Sequence, residues 1–197
     1  SQSESTATLQ LDQPRLWHGR IDPYLYTVRV IVSADGEELD RFSMQQGFRY
    51  FEVHPEQGFM LNGQPYQLWG VNRHQDYEDM GWALSNAEHE RDMQLINEMG
   101  TRSIRLAHYP QAEYILQLCD QMGILVTAEL PVVDCITDSP EFTQNTLFQM
   151  NEIIDLYGNY TSVFAYGLYN EMYHKPSPPA EPLLNTLHAL CKARDPG

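Results

Sequence analysis

The sequence predicts an α/β protein in which an all-β segment precedes a parallel sheet flanked by helices. Residues 1–56 contain alternating apolar runs and turns without helical periodicity. From residue 57 onward, a strand followed by a helix occurs four times. Successive strand–helix units pair their strands in parallel through right-handed crossovers, so the second part is expected to form one parallel sheet.

Composition narrows the classes of partner. The 197 residues carry a formal net charge of -15, and 42% of them are hydrophobic. Such an acidic chain is a poor match for nucleic acid or for anionic membranes, and its apolar runs stay below the roughly 18 residues of a membrane span. Three widely spaced cysteines, Cys119, Cys135 and Cys191, form no CxxC pair, so neither a disulfide framework nor a zinc site is predicted.

The all-β segment is predicted from three runs rich in β-branched and aromatic residues. Residues 24–32 form the first, Asp35-Gly36 marks a turn, and residues 39–42 form the returning strand. Residues 48–53 give a further alternating run. These strands are too few to close a sandwich, so we expect them to be the end of a larger β domain.

The second part opens with a hairpin signal at Asn62-Gly63. The four strands that follow are predicted at residues 67–72, 103–107, 124–130 and 163–169. The helices between them carry apolar residues at steps of three and four, a capping box at Ser85–Glu88, and the terminating glycines Gly100, Gly123 and Gly158. Residues 183–190 begin a fourth helix. Both an open doubly wound sheet and part of a (β/α)8 barrel fit this order, and no phosphate-binding glycine motif follows any strand.

Polar side chains stand at the carboxyl end of each predicted strand. In chain order they are His74, His108, Glu129, Asn170 and Glu171, with Arg105 inside the second strand. In a parallel barrel this end of the sheet is the active face.

Each of these residues also has a purely structural interpretation. Arg105 and Glu129 can form an internal ion pair, and a histidine after a strand is often structural. Histidines and glutamates also suit a metal, but no HxH or HExxH spacing supports a metal site. Glycoside cleavage requires two carboxyl groups, and hydroxyl-rich sugars require polar and aromatic partners. Aromatic residues on or near these segments are Trp69, Trp82, Tyr109, Tyr166, Tyr169 and Tyr173.

An ordered set of short motifs resembles glycoside hydrolase family 2, especially its β-galactosidases. The motifs are Gly47-Phe48-Arg49, Leu61-Asn62-Gly63, Gly70-Val71-Asn72-Arg73-His74, Arg105-Leu106-Ala107-His108-Tyr109-Pro110, Leu118-Cys119-Asp120, Ala128-Glu129 and Gly167-Leu168-Tyr169-Asn170-Glu171. The resemblance implies that residues 1–56 are the C-terminal part of an immunoglobulin-like sandwich. It also implies that residues 57–197 are the N-terminal half of a TIM barrel.

The resemblance also implies roles for the polar strand ends. Glu171 matches the general acid/base, and Asn170 matches an amide that contacts the 2-hydroxyl of the sugar. His74 and His108 match sugar-contacting histidines. Arg105 matches an arginine that keeps the nucleophile ionised.

Glu129 matches a supporting carboxylate at the rim. The nucleophilic glutamate of the family belongs to a strand that would follow residue 197, so we expect these residues alone to be inactive. Gln75 departs from the family pattern, which commonly has glutamate there. The Glu-x-His of a magnesium site is absent after Glu129, so no metal is predicted, and no other cofactor is expected.

The sequence therefore predicts part of a retaining glycoside hydrolase that removes terminal β-linked galactose. A β-glucuronidase, a β-mannosidase and a non-catalytic carbohydrate-binding module remain alternatives. The expected partner is a carbohydrate, not nucleic acid or a membrane. Half a barrel leaves two sheet edges unpaired, so we also expect either association into homo-oligomers or marginal stability.

Overall fold

A computed structural model describes residues 6–172 and 180–196. The all-β segment contains an antiparallel ribbon of β1 (Tyr26–Ala34) and β2 (Glu37–Gln46). Asp35 and Gly36 join the strands with φ of 53° and 83°, the left-handed backbone that a tight hairpin turn requires. The predicted turn is therefore confirmed, and the returning strand is longer than the predicted residues 39–42.

A second antiparallel sheet follows the ribbon. It consists of β3 (Phe51–His54), β4 (Gly58–Leu61) and β5 (Gln64–Pro65), and the predicted Asn-Gly hairpin joins β4 to β5. The side chains of this sheet pack with Trp17, Tyr66 and Phe164. Since Phe164 lies near the start of its parallel strand, this sheet covers the amino-terminal end of the parallel sheet.

The parallel sheet contains four strands in the spatial order of the sequence. They are β6 (Gly70–Arg73), β7 (Ser103–Leu106), β8 (Leu125–Glu129) and β9 (Val163–Gly167). A doubly wound sheet reverses its strand order at a switch point, whereas barrel strands follow one another in sequence. The order β6-β7-β8-β9 therefore selects the barrel, and the fold is the first half of a (β/α)8 barrel preceded by part of an immunoglobulin-like sandwich.

The helices that separate these strands are α1 (Asn86–Glu98), α2 (Glu113–Met122), α3 (Pro140–Tyr157) and α4 (Ala180–Arg194). The capping box of α1 is present, and Gly123 ends α2 in the left-handed conformation at φ 73°. Helix α3 begins well before its predicted apolar positions because Ser139 caps it and Pro140 occupies its first turn. None of the described helices is long and apolar enough to cross a membrane.

The core lies between the helices and the outer face of the parallel sheet. It includes Met93, Ile104, Leu116, Val126 and Met150. Cys119, predicted to be a small core residue, is fully buried there, and burial raises the pKa of its thiol.

The amino-terminal residues are hydrogen-bonded to the barrel at Asp120 and Thr161. Trp17, which is fully buried, donates its indole N–H to the carbonyl oxygen of Asp120 at 2.8 Å. The backbone N–H of Gly47 donates to Oγ1 of Thr161 at 2.7 Å, and Nε of Arg49 donates to the carbonyl oxygen of the same residue at 2.7 Å. These contacts join the end of the sandwich segment to the strand that leads toward the predicted site.

The Asp120 carboxylate, on helix α2, completes this junction. It accepts hydrogen bonds from the backbone N–H groups of Thr161 and Ser162 at 3.1 and 2.7 Å. Burial raises its pKa to about 6, although these hydrogen bonds and the charge of Arg49 act in the opposite direction. Asp120 therefore fixes the turn that precedes β9.

Candidate active site

Four of the predicted residues meet at the carboxyl end of the parallel sheet. Nε of Arg105 donates to Oε1 of Glu129 at 2.5 Å, and Nη2 of Arg105 donates to Oδ1 of Asn170 at 2.9 Å. Nδ1 of His108 lies 2.9 Å from Oε2 of Glu129. We call Arg105, His108, Glu129 and Asn170 the rim cluster.

Strand register brings Arg105 and Glu129 together. Arg105 pairs with Thr127 across β7 and β8, so Glu129 lies two residues further along and on the same face as Thr127. Gly167 of β9 stands opposite Glu129, and a Cβ atom there would lie 2.9 Å from Cγ and Oε1 of the glutamate. The glycine therefore leaves the space that the Glu129 side chain occupies.

The hydrogen bonds of Glu129 indicate which ring nitrogen of His108 carries the proton. Its side chain is 5% exposed, and each of its oxygens has a partner, Arg105 on one side and His108 on the other. A carboxylate only accepts hydrogen bonds, so His108 carries its proton on Nδ1 in this contact. The second ring nitrogen, Nε2, is then left to contact a ligand. Because the charges of Arg105 and Glu129 offset each other, the cluster suits neutral hydroxyl groups.

Backbone hydrogen bonds hold Asn170 beyond the end of β9. Its N–H donates to the carbonyl oxygen of Val132 at 2.8 Å, and its own carbonyl oxygen accepts from the N–H of Asp134 at 3.0 Å. Since Arg105 occupies the amide oxygen of the side chain, the NH₂ group remains to donate to a ligand. The structure therefore fixes the position of Asn170, and its contact with a sugar stays a prediction.

Glu171 follows Asn170 and has an exposed side chain. Its φ of 51° is in the left-handed region, an unfavourable conformation for a residue other than glycine and one that is frequent at functional sites. The structure thus places the predicted acid/base at the rim, next to the cluster. Its carboxylate has no hydrogen bond to any residue in the described ranges.

The second predicted histidine joins the rim through ring contacts. The His74 and His108 rings are 5.2 Å apart between centroids, and the His74 and Tyr109 rings are 6.1 Å apart. Trp82 stacks on Tyr109 with centroids 4.5 Å apart. The rim face therefore continues from His108 toward Trp82.

The other predicted aromatic residues do not join this group. Trp69 precedes β6 at the opposite end of the sheet, and Tyr166 donates its hydroxyl proton to Asp195 at 2.8 Å. Tyr169 is exposed, and Tyr173 lies outside the described residues.

An open cavity of about 360 Å³ lies on the concave face of the sheet and is lined in part by Arg105.

The sequence interpretation missed a buried polar network directly beneath His74. The Arg73 guanidinium contacts Asp92 at 2.7 Å, Oε1 of Gln111 at 2.5 Å and Nδ1 of His89 at 3.1 Å. Gln111 donates its amide back to the carbonyl oxygen of Arg73 at 2.7 Å, which ties together the ends of β6 and β7. Burial and the positive charge of Arg73 lower the pKa of His89. The sequence did contain a signal for this network. The polar residues His89 and Asp92 lie on the same face of α1 as the buried Met93, so their spacing indicates that they point toward the interior.

The structure bears on the two roles considered for Arg105. Arg105 forms the internal ion pair with Glu129 that the sequence allowed. A neighbouring nucleophile for Arg105 stays a prediction. In the described ranges, no three His, Cys, Asp or Glu side chains are grouped closely enough to hold a metal ion.

Comparison with known proteins identifies the family of this half-barrel with its polar rim. The family profile described as the TIM barrel domain of glycosyl hydrolases family 2 matches residues 51–197, and the profile described as glycosyl hydrolases family 2 matches residues 1–49. The chain belongs to glycosyl hydrolase family 2.

Individual relatives carry two different names. A β-glucuronidase of Bacteroides fragilis is 40% identical over 95% of this chain and 28% of its own length. A β-galactosidase of Thermoanaerobacter pseudethanolicus is 37% identical over 66% of this chain and 18% of its own length. The crystal structure of a putative β-galactosidase from Bacteroides fragilis, 38% identical, matches with a TM-score of 0.89 over 96% of this chain and 28% of that one. The chain spans less than a third of the length of these relatives.

Proposed function

We propose that this chain forms part of a retaining β-glycosidase and supplies its general acid/base, Glu171. The observation that carries the proposal is the fixed position of Asn170, the residue directly before Glu171. Arg105 holds its side chain, and two backbone hydrogen bonds hold its main chain. Membership of glycosyl hydrolase family 2 supports the same assignment. His74, His108 and Asn170 bind the sugar hydroxyls, and Arg105 and Glu129 position them.

In this mechanism Glu171 acts twice. It protonates the glycosidic oxygen as a second carboxylate attacks the anomeric carbon, and it then removes a proton from the water that hydrolyses the glycosyl-enzyme. A retaining site requires about 5 Å between the two carboxyl groups. Glu129 is unsuited to be the second carboxylate, because it is buried and both of its oxygens are engaged by Arg105 and His108. We therefore assign Glu129 a supporting role and expect the nucleophile elsewhere in the natural polypeptide.

The first candidate substrate is a terminal β-glucuronide. The relative that is 40% identical over 95% of this chain is named a β-glucuronidase. A glucuronate carboxylate needs a cationic partner, however, and in the described ranges the two guanidinium groups nearest the rim, Arg73 and Arg105, are already paired with carboxylates. A β-glucuronidase would therefore take its cation from another part of the polypeptide.

The second candidate is a terminal β-galactoside. The charge balance between Arg105 and Glu129 favours a neutral sugar, and the similar proteins include a β-galactosidase and a putative β-galactosidase. Similarity alone does not rank the two candidates, since the β-glucuronidase matches 95% of this chain and the putative β-galactosidase matches 96%.

Turnover by the natural polypeptide that contains this sequence tests the proposal. Nitrophenyl β-glucuronide, β-galactoside and β-mannoside are compared at equal concentration, with Glu171→Gln as the inactive variant. We expect hydrolysis of the glucuronide or the galactoside. The variant should lose about 10²–10⁴-fold in kcat, because water then attacks the glycosyl-enzyme without its general base. Binding of these sugars without turnover would instead indicate a non-catalytic carbohydrate-binding module.

A further inference from the structure

A stacked aromatic pair lies beside the candidate site and has no part in the chemistry described above. The rings of Trp82 and Tyr109 are nearly parallel, with an interplanar angle of 21° and centroids 4.5 Å apart. Trp82 is 63% exposed. Through Tyr109 the pair continues to His74 and then to His108. We call Trp82 and Tyr109 the aromatic shelf.

Gln75 holds the shelf in place with both its backbone and its side chain. Its N–H donates to the Tyr109 hydroxyl at 3.1 Å, and its side-chain NH₂ donates to the carbonyl oxygen of Trp82 at 3.1 Å. Its side-chain oxygen accepts from the N–H of Ala112 at 2.8 Å. A glutamate carboxylate at this position would accept but not donate, so Gln75→Glu would lose the contact to Trp82. These contacts hold the Tyr109 hydroxyl and the Trp82 backbone, and stacking on Tyr109 holds the Trp82 indole.

An ordered, exposed indole favours a ligand with a flat apolar face. Exposing this much aromatic surface to water is unfavourable, and covering it with a ring recovers that free energy. Because Tyr109 already stacks on one face of the indole, little conformational entropy is lost when a ring stacks on the other face. Pyranose rings present C–H faces, and aryl groups present π faces, so both have the required shape.

We propose that the aromatic shelf is a binding site for a second ring of the substrate, next to the sugar that His74 and His108 contact. This proposal rests on the proposed function and adds the class of substrate, namely glycosides with at least two rings. The second ring is either a pyranose or an aromatic leaving group, and the experiment below separates the two.

The chain offers a matched control. Trp69 is 64% exposed, almost the same as Trp82, but it precedes β6 and therefore lies at the end of the strand opposite the rim. The Arg102 guanidinium lies 5.5 Å from its ring. Replacing Trp69 removes an equally exposed indole without touching the shelf.

The test is calorimetric titration of the natural polypeptide with sulfur-linked glycosides, which resist hydrolysis. A methyl, a phenyl and a disaccharide thioglycoside are used in both the glucuronate and the galactose series. We expect Trp82→Ala to weaken binding of a two-ring ligand about 5- to 10-fold more than binding of the methyl ligand, the size of one lost aromatic contact. Gln75→Glu is expected to weaken it less, and Trp69→Ala to leave all three Kd values unchanged. Selective loss for the phenyl ligand identifies an aryl partner, and selective loss for the disaccharide identifies a sugar.

An equal effect of Trp82→Ala on all three ligands, or no effect on any, would overturn the proposal. Failure of the aromatic-shelf proposal can be distinguished from failure of the proposed function. Trp82-dependent binding by a protein that hydrolyses no glycoside would reject the enzyme assignment and keep the shelf. Hydrolysis without any preference that depends on Trp82 would reject the shelf alone.

Discussion

The ion pair at the rim allows a quantitative test of how the candidate site is held together. Glu129→Ala removes the buried acceptor of Arg105 and of His108. Removing one partner of a buried pair costs about 3–5 kcal/mol. The Arg105 side chain is 34% exposed and keeps its contact with Asn170, so water and the amide compensate in part. We therefore expect the free energy of unfolding to fall by about 2–3 kcal/mol.

Urea unfolding of the natural polypeptide that contains this sequence, followed by circular dichroism, measures this loss. Glu129→Gln keeps the shape and one acceptor oxygen, so its loss is expected to be about half as large. Glu52 provides the control, since it makes a similar contact to His54 at 3.3 Å on the surface. Glu52→Gln is expected to change stability by less than about 0.5 kcal/mol. Equal unfolding midpoints for Glu129→Ala and Glu52→Gln would refute the view that Glu129 organises the rim.

Three further predictions concern stability. Since the folded-state pKa of Asp120 is raised to about 6, its contribution to stability is fully present below its ordinary pKa of 3.8 and is lost as the pH rises through 6. In the wild type the free energy of unfolding should therefore fall between pH 4 and pH 7, and Asp120→Asn should remove up to about 3 kcal/mol of that fall. An unchanged pH profile would contradict a raised pKa for Asp120. Arg73→Lys keeps the charge but loses the planar group that contacts Asp92 and its neighbours together, so urea unfolding should show a loss of about 2 kcal/mol, whereas wild-type stability would show that the network contributes little. Gly167→Ala should lower thermal stability by about 1–3 kcal/mol because its Cβ meets Glu129, and a variant as stable as the wild type would show that the rim can relax.

The sequence predicted helix ends and tight turns well because each depends on local signals. The capping box at Ser85, the left-handed glycine at 123 and the Asn-Gly hairpin are set by a few neighbouring residues, and all three are present. The strand ends were less accurate. The strand predicted at residues 163–169 stops at Gly167, after which Asn170 pairs with Val133 in an isolated bridge.

The location of the site was predictable, but its internal contacts were not. Parallel strands bring their carboxyl ends together, so the strand pattern alone placed His108, Glu129 and Asn170 on one rim. The Arg73–Gln111 contact joins residues 38 apart and depends on how two loops pack, for which periodicity carries no signal. The start of α3 was not predicted either, because its first residues lack the apolar spacing that predicted its later turns.

The leaving-group dependence of Glu171→Ala in the natural polypeptide tests the central assignment most directly. A general acid matters most when the leaving group is a poor one. We predict that the variant loses about 10²–10⁴-fold in kcat/KM on alkyl glycosides and much less on dinitrophenyl glycosides. We also predict that added azide restores turnover of the dinitrophenyl substrate, because it attacks the glycosyl-enzyme without a general base. An equal loss on every leaving group, with no azide rescue, would contradict Glu171 as the acid/base.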